Sequence, residues 1–201
     1  MNRRSLFFLT ALAVVWMMFS GCSQKVTRVG LEEAIDLSGN WNDTDSRMVS
    51  QEMVGDMLSQ RWLAVHLRNH GQEPVVTVGT MRNLSHEHIN MSTFVTDIQR
   101  AVINSGEVQF VAARVDRDEL RDERREQDLH AREDTRKEMG QEVGADYILT
   151  GTINTIIDTE GRTFVKYYQV DLSLTSVADN RIVWIGQKQI RKLVERARVR
   201  P

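Results

Sequence analysis

The fold is decided by the stretch FVKYYQVDLSLT, residues 164–175. Side chains at alternate positions of a β-strand point to opposite faces, and this stretch alternates between apolar and polar residues. The apolar face contains Phe164, Tyr168, Val170, Leu172 and Leu174, and the polar face contains Tyr167, Gln169, Asp171, Ser173 and Thr175. The pattern predicts a strand of an antiparallel sheet that has one buried and one solvated face.

Similar segments flank this strand on both sides. Strands are predicted over 147–156 and 181–190 and are joined to it by polar turns, so the three form consecutive antiparallel hairpins. Two shorter β-rich runs lie nearer the N-terminus, at 75–78 and 108–112.

Helical periodicity accounts for most of the remaining chain. Apolar spacing predicts one helix from about 48 to 69, with Thr44 or Asp45 as its N-cap, and a second helix over 92–104. The highly charged stretch 116–143 predicts a third, largely solvated helix. The resulting order, α-β-α-β-α-β-β-β, predicts an α+β fold with a mixed β-sheet of about five strands and helices packed on one face.

The N-terminus has the features of a secretory signal. Two arginines precede an apolar run over 6–19, which is about 21 Å long as a helix and too short for a bilayer core of about 30 Å. Ser20-Gly21-Cys22 follows and resembles the lipobox of bacterial lipoproteins. We therefore expect removal of residues 1–21 and lipidation of Cys22. Ser23, in place of the aspartate typical of inner-membrane retention, favours the outer membrane, with the protein facing the periplasm.

The rest of the chain divides into a tether and one domain. Residues 22–43 have no sustained periodicity and are predicted to be a lipidated N-terminus and flexible tether, about 26 Å from end to end on average and at most about 75 Å. Residues 44–201 are long enough for one globular domain. The formal net charge is -2, which offers no bulk attraction to nucleic acid.

Motifs for cofactor binding or catalysis would be formed by glycines, cysteines or histidines at characteristic spacings. The sequence contains no glycine-rich phosphate loop, nucleophile elbow or cysteine pair. His66 and His70 stand four apart, but without the neighbouring glutamate of metalloproteases we interpret them as a solvated helix face. His86 and His88 lie in a predicted loop with no third ligand nearby. We predict no metal, no cofactor and no catalytic residue.

Three segments together resemble one family: 36–46 (DLSGNWNDTDS), 143–149 (VGADYIL) and 181–186 (RIVWIG). With the lipobox, they are similar to the LpoB lipoproteins, activators of class A penicillin-binding proteins. The resemblance implies a domain related to the N-terminal domain of TolB. It also implies that this domain docks on a bifunctional peptidoglycan synthase and stimulates glycan polymerisation and cross-linking without doing chemistry itself. We expect a monomer.

The contact surface is predicted from residue type. Arg162, Tyr167 and Arg181 lie at or near the solvated side of the hairpins, and exposed tyrosine and arginine are enriched in binding hot spots. Two other functions stay open. A CsgG-like secretion lipoprotein would form a detergent-stable ring of many subunits, and a general envelope scaffold would retain no synthase in an affinity pull-down.

Overall fold

The computed structural model describes residue 30, residues 38–137 and residues 140–195. The predicted signal peptide and Cys22 lie outside the described residues. Contacts divide the chain into two units, 1–34 and 35–201, and every element named below belongs to the second. No helix in these described ranges is both long enough and apolar enough to cross a membrane.

The described part of the second unit is an α+β fold with four helices and five strands. The helices are α1 (Asp43–Ser59), α2 (Arg61–His70), α3 (Met91–Ser105) and α4 (Arg114–His130). The strands are β1 (Val75–Asn83), β2 (Gln109–Phe110), β3 (Tyr147–Glu160), β4 (Thr163–Ser176) and β5 (Ile182–Glu195). The sheet order is β2-β1-β3-β4-β5. Strand β1 is parallel to β2 and β3, while β3, β4 and β5 form antiparallel hairpins, so the predicted mixed sheet is confirmed.

One hydrophobic core joins the sheet to α1, α2 and α3. On β4 the predicted alternation is confirmed, because Tyr168, Val170, Leu172 and Leu174 are all buried. Each of the three helices contributes buried side chains to the same cluster as this inner face of the sheet: Val49, Met53 and Met57 from α1, Trp62 and Leu63 from α2, and Phe94, Ile98 and Val102 from α3. Helices therefore pack on one face, as predicted.

The prediction of one continuous helix over 48–69 is wrong. The helix is interrupted at Gln60, whose backbone is extended (φ -82°, ψ 159°). The Trp62 indole N–H donates to the Met57 carbonyl at 2.7 Å, so a carbonyl at the end of α1 keeps a partner. The N-cap is also corrected. It is Asn42, whose side chain accepts from the Asp45 amide, while Asp45 accepts in return from the Asn42 amide, each at 3.0 Å.

The strands are longer than predicted, except for β2. The predicted β-rich run ends at residue 78, but β1 continues to Asn83 because it pairs with β3 as far as Asn83 and Ile153. Pairing between β3 and β4 extends to Glu160 and Thr163. Pairing between β4 and β5 extends to Thr163 and Glu195. Strand β2 is a two-residue edge strand.

The charged helix over 116–143 is also shorter than predicted, since α4 ends at His130. The chain then returns alongside it, and the Glu142 carboxylate accepts from Arg121 Nη2 at 2.9 Å and Arg124 Nη1 at 2.7 Å. The hydrogen bond from Arg121 and the positive charge of its guanidinium lower the pKa of Glu142 below its ordinary value. Arg124 lowers this pKa further in the same two ways. Polar contacts thus hold a helix that has little apolar surface to bury.

Replacing Glu142 by glutamine should loosen α4 while leaving the rest of the domain intact. Hydrogen exchange of the α4 amides should become faster, because local opening no longer breaks two ion pairs. The melting temperature should hardly change, since exposed ion pairs contribute little to global stability. Equal protection of α4 in both proteins would contradict this assignment.

Candidate partner-binding surface

The outward-pointing side chains of β3, β4 and β5, together with the end of β1, form a broad surface that we call the outer face. On β3 to β5 its side chains are half-buried or exposed. Pairing across the sheet aligns them in rows, which are about 6.7 Å apart because every second residue faces the same way.

The middle rows are polar. One row contains Arg82, Thr152, Asp171 and Gln187 in register across four strands. Asp171 accepts hydrogen bonds from Gln169 Nε2 at 2.9 Å and from Gln187 Nε2 at 3.0 Å. These contacts fix the positions of the amide groups on the surface.

The end of the outer face near the β3–β4 turn has a different character. Tyr167 pairs in register with Arg191, and the Arg191 guanidinium carbon lies 6.0 Å from the centre of the Tyr167 ring, a distance that allows a cation–π contact. Ile156 and Leu193 on the neighbouring strands are each 64% exposed. We call these four residues the distal patch.

The structure does not bring the three predicted contact residues together. Arg162 lies in the β3–β4 turn, whereas Arg181 directly precedes β5 and contacts Asp179 at 2.6 Å. The 14 residues of β4 separate the two arginines, which places them about 45 Å apart. Tyr167 lies at the Arg162 end. The partner role of Arg162, Tyr167 and Arg181 stays a prediction, but one small contact cannot centre on both arginines.

Arg191 was missed because β5 was predicted to end at residue 190. The sequence does not indicate its position. Residues 186–192 (GQKQIRK) show no regular alternation, and a register shift between Leu174 and Thr175 places Arg191, rather than Ile190, opposite Tyr167. Residues beyond Glu195 lie outside the described residues.

The first family segment has a structural role. Trp41 makes edge-to-face contacts with Phe94 and Tyr168, at centroid distances of 5.9 and 5.6 Å. The Gly39 carbonyl lies 2.9 Å from the Tyr168 hydroxyl, and a Cβ on Gly39 would come within 2.2 Å of Val194. Residues 38–42 therefore pack onto the domain, which corrects the predicted tether boundary at residue 43.

Glu87, in the loop between β1 and α3, connects that segment to β4. Its carboxylate forms an ion pair with Lys166 and accepts from the Tyr168 hydroxyl at 2.8 Å and the Trp41 amide at 3.2 Å. Burial alone would raise the pKa of Glu87, but the hydrogen bonds from Lys166, Tyr168 and Trp41 outweigh it and leave this pKa below its ordinary value. Burial, with the adjacent carboxylate, also raises the pKa of Tyr168.

The other two family segments also hold elements together. Asp146 accepts from the Val75 amide at 2.8 Å, which joins the starts of β1 and β3. The Trp184 indole N–H donates to Asp56 of α1 at 2.9 Å. The Trp184 ring lies across Gly186, where a Cβ would come within 2.1 Å of it. These residues therefore have structural roles in the fold.

The histidines have structural surroundings. The interpretation of His66 as part of a solvated face is wrong, because its side chain is 3% exposed and its Nδ1 lies 3.0 Å from the Tyr147 hydroxyl. Burial lowers the pKa of His66, and the stacked His70 lowers it further against the opposing effect of Asp146. His86 Nδ1 lies 3.2 Å from the Thr155 hydroxyl. Among residues 38–137 and 140–195, no three His, Cys, Asp or Glu side chains are grouped to hold a metal.

A family model described as peptidoglycan-synthase activator LpoB matches residues 45–190. Among solved structures, the LpoB C-terminal domain from Escherichia coli is similar, at 17% identity and a TM-score of 0.46, over 73% of this chain and 98% of that chain. Lipoprotein GNA1162 from Neisseria meningitidis is similar at 16% identity and a TM-score of 0.40, over 63% and 88% of the two chains. The PelC dodecamer from Paraburkholderia phytofirmans is similar at 16% identity and a TM-score of 0.35, over 60% and 73%. No curated protein matches the chain. Since the family model covers well over half of its residues, the chain belongs to the peptidoglycan-synthase activator LpoB family.

Proposed function

We propose that this protein is a lipid-anchored, non-catalytic activator of a class A penicillin-binding protein. Cys22 carries the lipid after removal of residues 1–21, and the anchor lies in the outer membrane with the domain in the periplasm. Membership of the LpoB family supports activation of a peptidoglycan synthase. The lipobox-like Ser20-Gly21-Cys22 supports the anchor.

The observation that carries the contact surface is the pairing of Tyr167 with Arg191 beside exposed Ile156 and Leu193. Protein interfaces are enriched in tyrosine and arginine, and their hot spots lie in apolar surroundings that exclude water. We therefore place the centre of the synthase contact on the distal patch, with Arg162 at its edge and Arg181 outside it.

Activation requires a difference in affinity between two states of the synthase. A binding protein shifts its partner toward the active conformation only by as much as it binds that conformation more tightly. A tenfold shift corresponds to about 1.4 kcal/mol, which a few contacts at the distal patch are able to supply.

The position of the anchor limits where the contact occurs. About 16 residues separate Cys22 from Ser38, where the described domain begins, and they span at most about 55 Å when fully extended. The docking surface of the synthase must therefore lie no farther from the lipid than the extended length of this segment and the length of the domain together.

Replacing Tyr167 and Arg191 together by alanine should weaken binding to a class A penicillin-binding protein by about 30-fold or more, because loss of a hot spot costs about 2 kcal/mol or more. Titration of the purified synthase with the lipidated protein in detergent measures affinity, and glycan polymerisation is followed in the same samples.

The two turn arginines provide matched controls for this experiment. Arg162→Ala should have a smaller effect than the double variant, and Arg181→Ala should have none, because its turn lies at the far end of β4. Unchanged affinity of the double variant would reject the distal patch. Absence of any binding by the unaltered protein would reject the class A partner itself.

A further inference from the structure

The middle of the outer face forms a shallow depression next to the distal patch. Its volume is about 500 Å³, which is within the range of ligand sites. We call it the central depression. Its lining includes the apolar residues Leu172 and Ile185, but most of its side chains carry hydroxyl, carboxylate or guanidinium groups: Thr80, Arg82, Thr150, Thr152, Asp171 and Ser173.

Three side chains of the central depression, those of Thr150, Asp171 and Ser173, are held by hydrogen bonds. The Thr150 and Ser173 hydroxyls lie 3.1 Å apart, and Asp171 is held by the amides of Gln169 and Gln187. The row from Arg82 to Gln187 crosses four strands, a width of about 14 Å. The depression therefore offers a pre-arranged set of hydrogen-bonding groups.

Arg82 has unused binding capacity. It is exposed, and its guanidinium makes no hydrogen bond or ion pair within the described residues, in contrast to Arg121, Arg124 and Arg181. A guanidinium has five donors and prefers the planar, bidentate geometry of a carboxylate or phosphate. It thus presents an anion-binding group at the edge of the hydroxyl-lined depression.

The arrangement of polar and apolar groups indicates the class of ligand. The centre of a protein–protein contact is apolar and poor in charge, and its rim is polar. Here the centre contains Asp171 and Arg82, and Ile185 lines the depression on its β5 side, while the exposed apolar residues Ile156 and Leu193 lie farther out. A nucleic acid would require a cluster of positive charge, but Arg82 is balanced by Asp171. A ligand rich in hydroxyl and amide groups, with an occasional carboxylate, fits this surface.

We propose that the central depression binds a carboxylate-bearing glycan strand, namely peptidoglycan with free stem peptides. Hydroxyl and acetamide groups of the sugars exchange hydrogen bonds with Thr152, Asp171 and Gln187, and a stem-peptide carboxylate pairs with Arg82. The choice of peptidoglycan as the glycan rests on the proposed function. Binding itself requires no synthase, and the depression lies beside the distal patch, so the protein contacts a synthase and its polymer on one face.

Co-sedimentation of the full chain in detergent with insoluble peptidoglycan tests this proposal in the absence of any synthase. The unaltered protein should sediment with the polymer. Arg82→Ala and Gln187→Ala should each weaken binding, the former by about tenfold, because a charge-assisted hydrogen bond is lost. The matched control is Arg100→Ala, which removes an arginine that is 63% exposed on α3. It should bind as the unaltered protein does.

Chitin serves as a second probe, because it has the sugar hydroxyls and acetamides but no carboxylate. We expect it to bind more weakly than peptidoglycan, and Arg82→Ala should bind the two polymers equally. No sedimentation of the unaltered protein, or an equal loss in Arg82→Ala and Arg100→Ala, would overturn the proposal. If a variant no longer binds glycan but still activates the synthase, glycan binding and synthase activation depend on different residues. Both proposals then stand.

Discussion

Replacing Trp184 by alanine should lower the free energy of unfolding by about 3–5 kcal/mol, the usual cost of removing a buried tryptophan. The side chain is 6% exposed and belongs to the core cluster. Its indole N–H also donates to Asp56, so the variant loses both apolar burial and a hydrogen bond between β5 and α1. Urea denaturation followed by circular dichroism measures the change.

Three further variants separate the contributions around Trp184. Trp184→Phe keeps much of the apolar area but loses the N–H donor, so its cost should be smaller. Gly186→Ala should cost about 1–3 kcal/mol through overpacking, since the new Cβ would meet the indole ring. Ile185→Ala changes the adjacent residue, which is 69% exposed, and should change stability by about 0.5 kcal/mol or less. If Trp184→Ala were as stable as Ile185→Ala, Trp184 would not be packed in the core.

The β-sheet could be predicted because its signal is local. Alternation along β4 depends only on consecutive residues, and two short turns determine which strands pair with it. The interruption at Gln60 has no such signal, because neither proline nor glycine marks it. It depends on Trp62 reaching back to the Met57 carbonyl, a contact that spacing alone does not reveal.

The candidate site could be predicted only in part, for a related reason. Tyr167 was identified from its place on the solvated side of one strand, but its neighbour Arg191 is set by the register of a hairpin longer than predicted. The family segments were recognised from the sequence, yet their roles became clear only from contacts. Trp184 is a core residue and Trp41 packs against the core, whereas the candidate binding groups lie on the outer face.

The structural role of Glu87 could not be predicted from sequence periodicity, because Glu87 lies in a loop and connects two segments that are distant in the chain. The Glu87 and Lys166 side chains are 14% and 11% exposed, so removal of the carboxylate leaves a buried ammonium and the Tyr168 hydroxyl with one partner fewer. Lys166 and Tyr168 flank Tyr167 in β4, which means that the network on the inner face also holds the backbone under the distal patch.

Glu87→Ala should therefore lower the free energy of unfolding by about 3–5 kcal/mol, the usual effect of removing one partner of a buried ion pair. Glu87→Gln should cost less, because an amide oxygen still accepts from the Trp41 amide and the Tyr168 hydroxyl. The matched control is Glu52→Ala, which breaks the more exposed pair with Lys188 and should cost about 1 kcal/mol or less.

The pH dependence of these variants tests the same network. The pKa of Glu87 lies below its ordinary value of 4.5 in the folded protein, so the unfolded chain takes up the proton first as the pH falls. The stabilisation by Glu87 is then complete above pH 4.5 and is lost as the pH falls through the lower folded value. The stability advantage of the unaltered protein over Glu87→Gln should accordingly shrink below pH 4.5 in urea titrations at successive pH values. An advantage that stays constant down to pH 3 would show that the charge of Glu87 does not stabilise the fold, and that Tyr168 and Trp41 are held by shape alone.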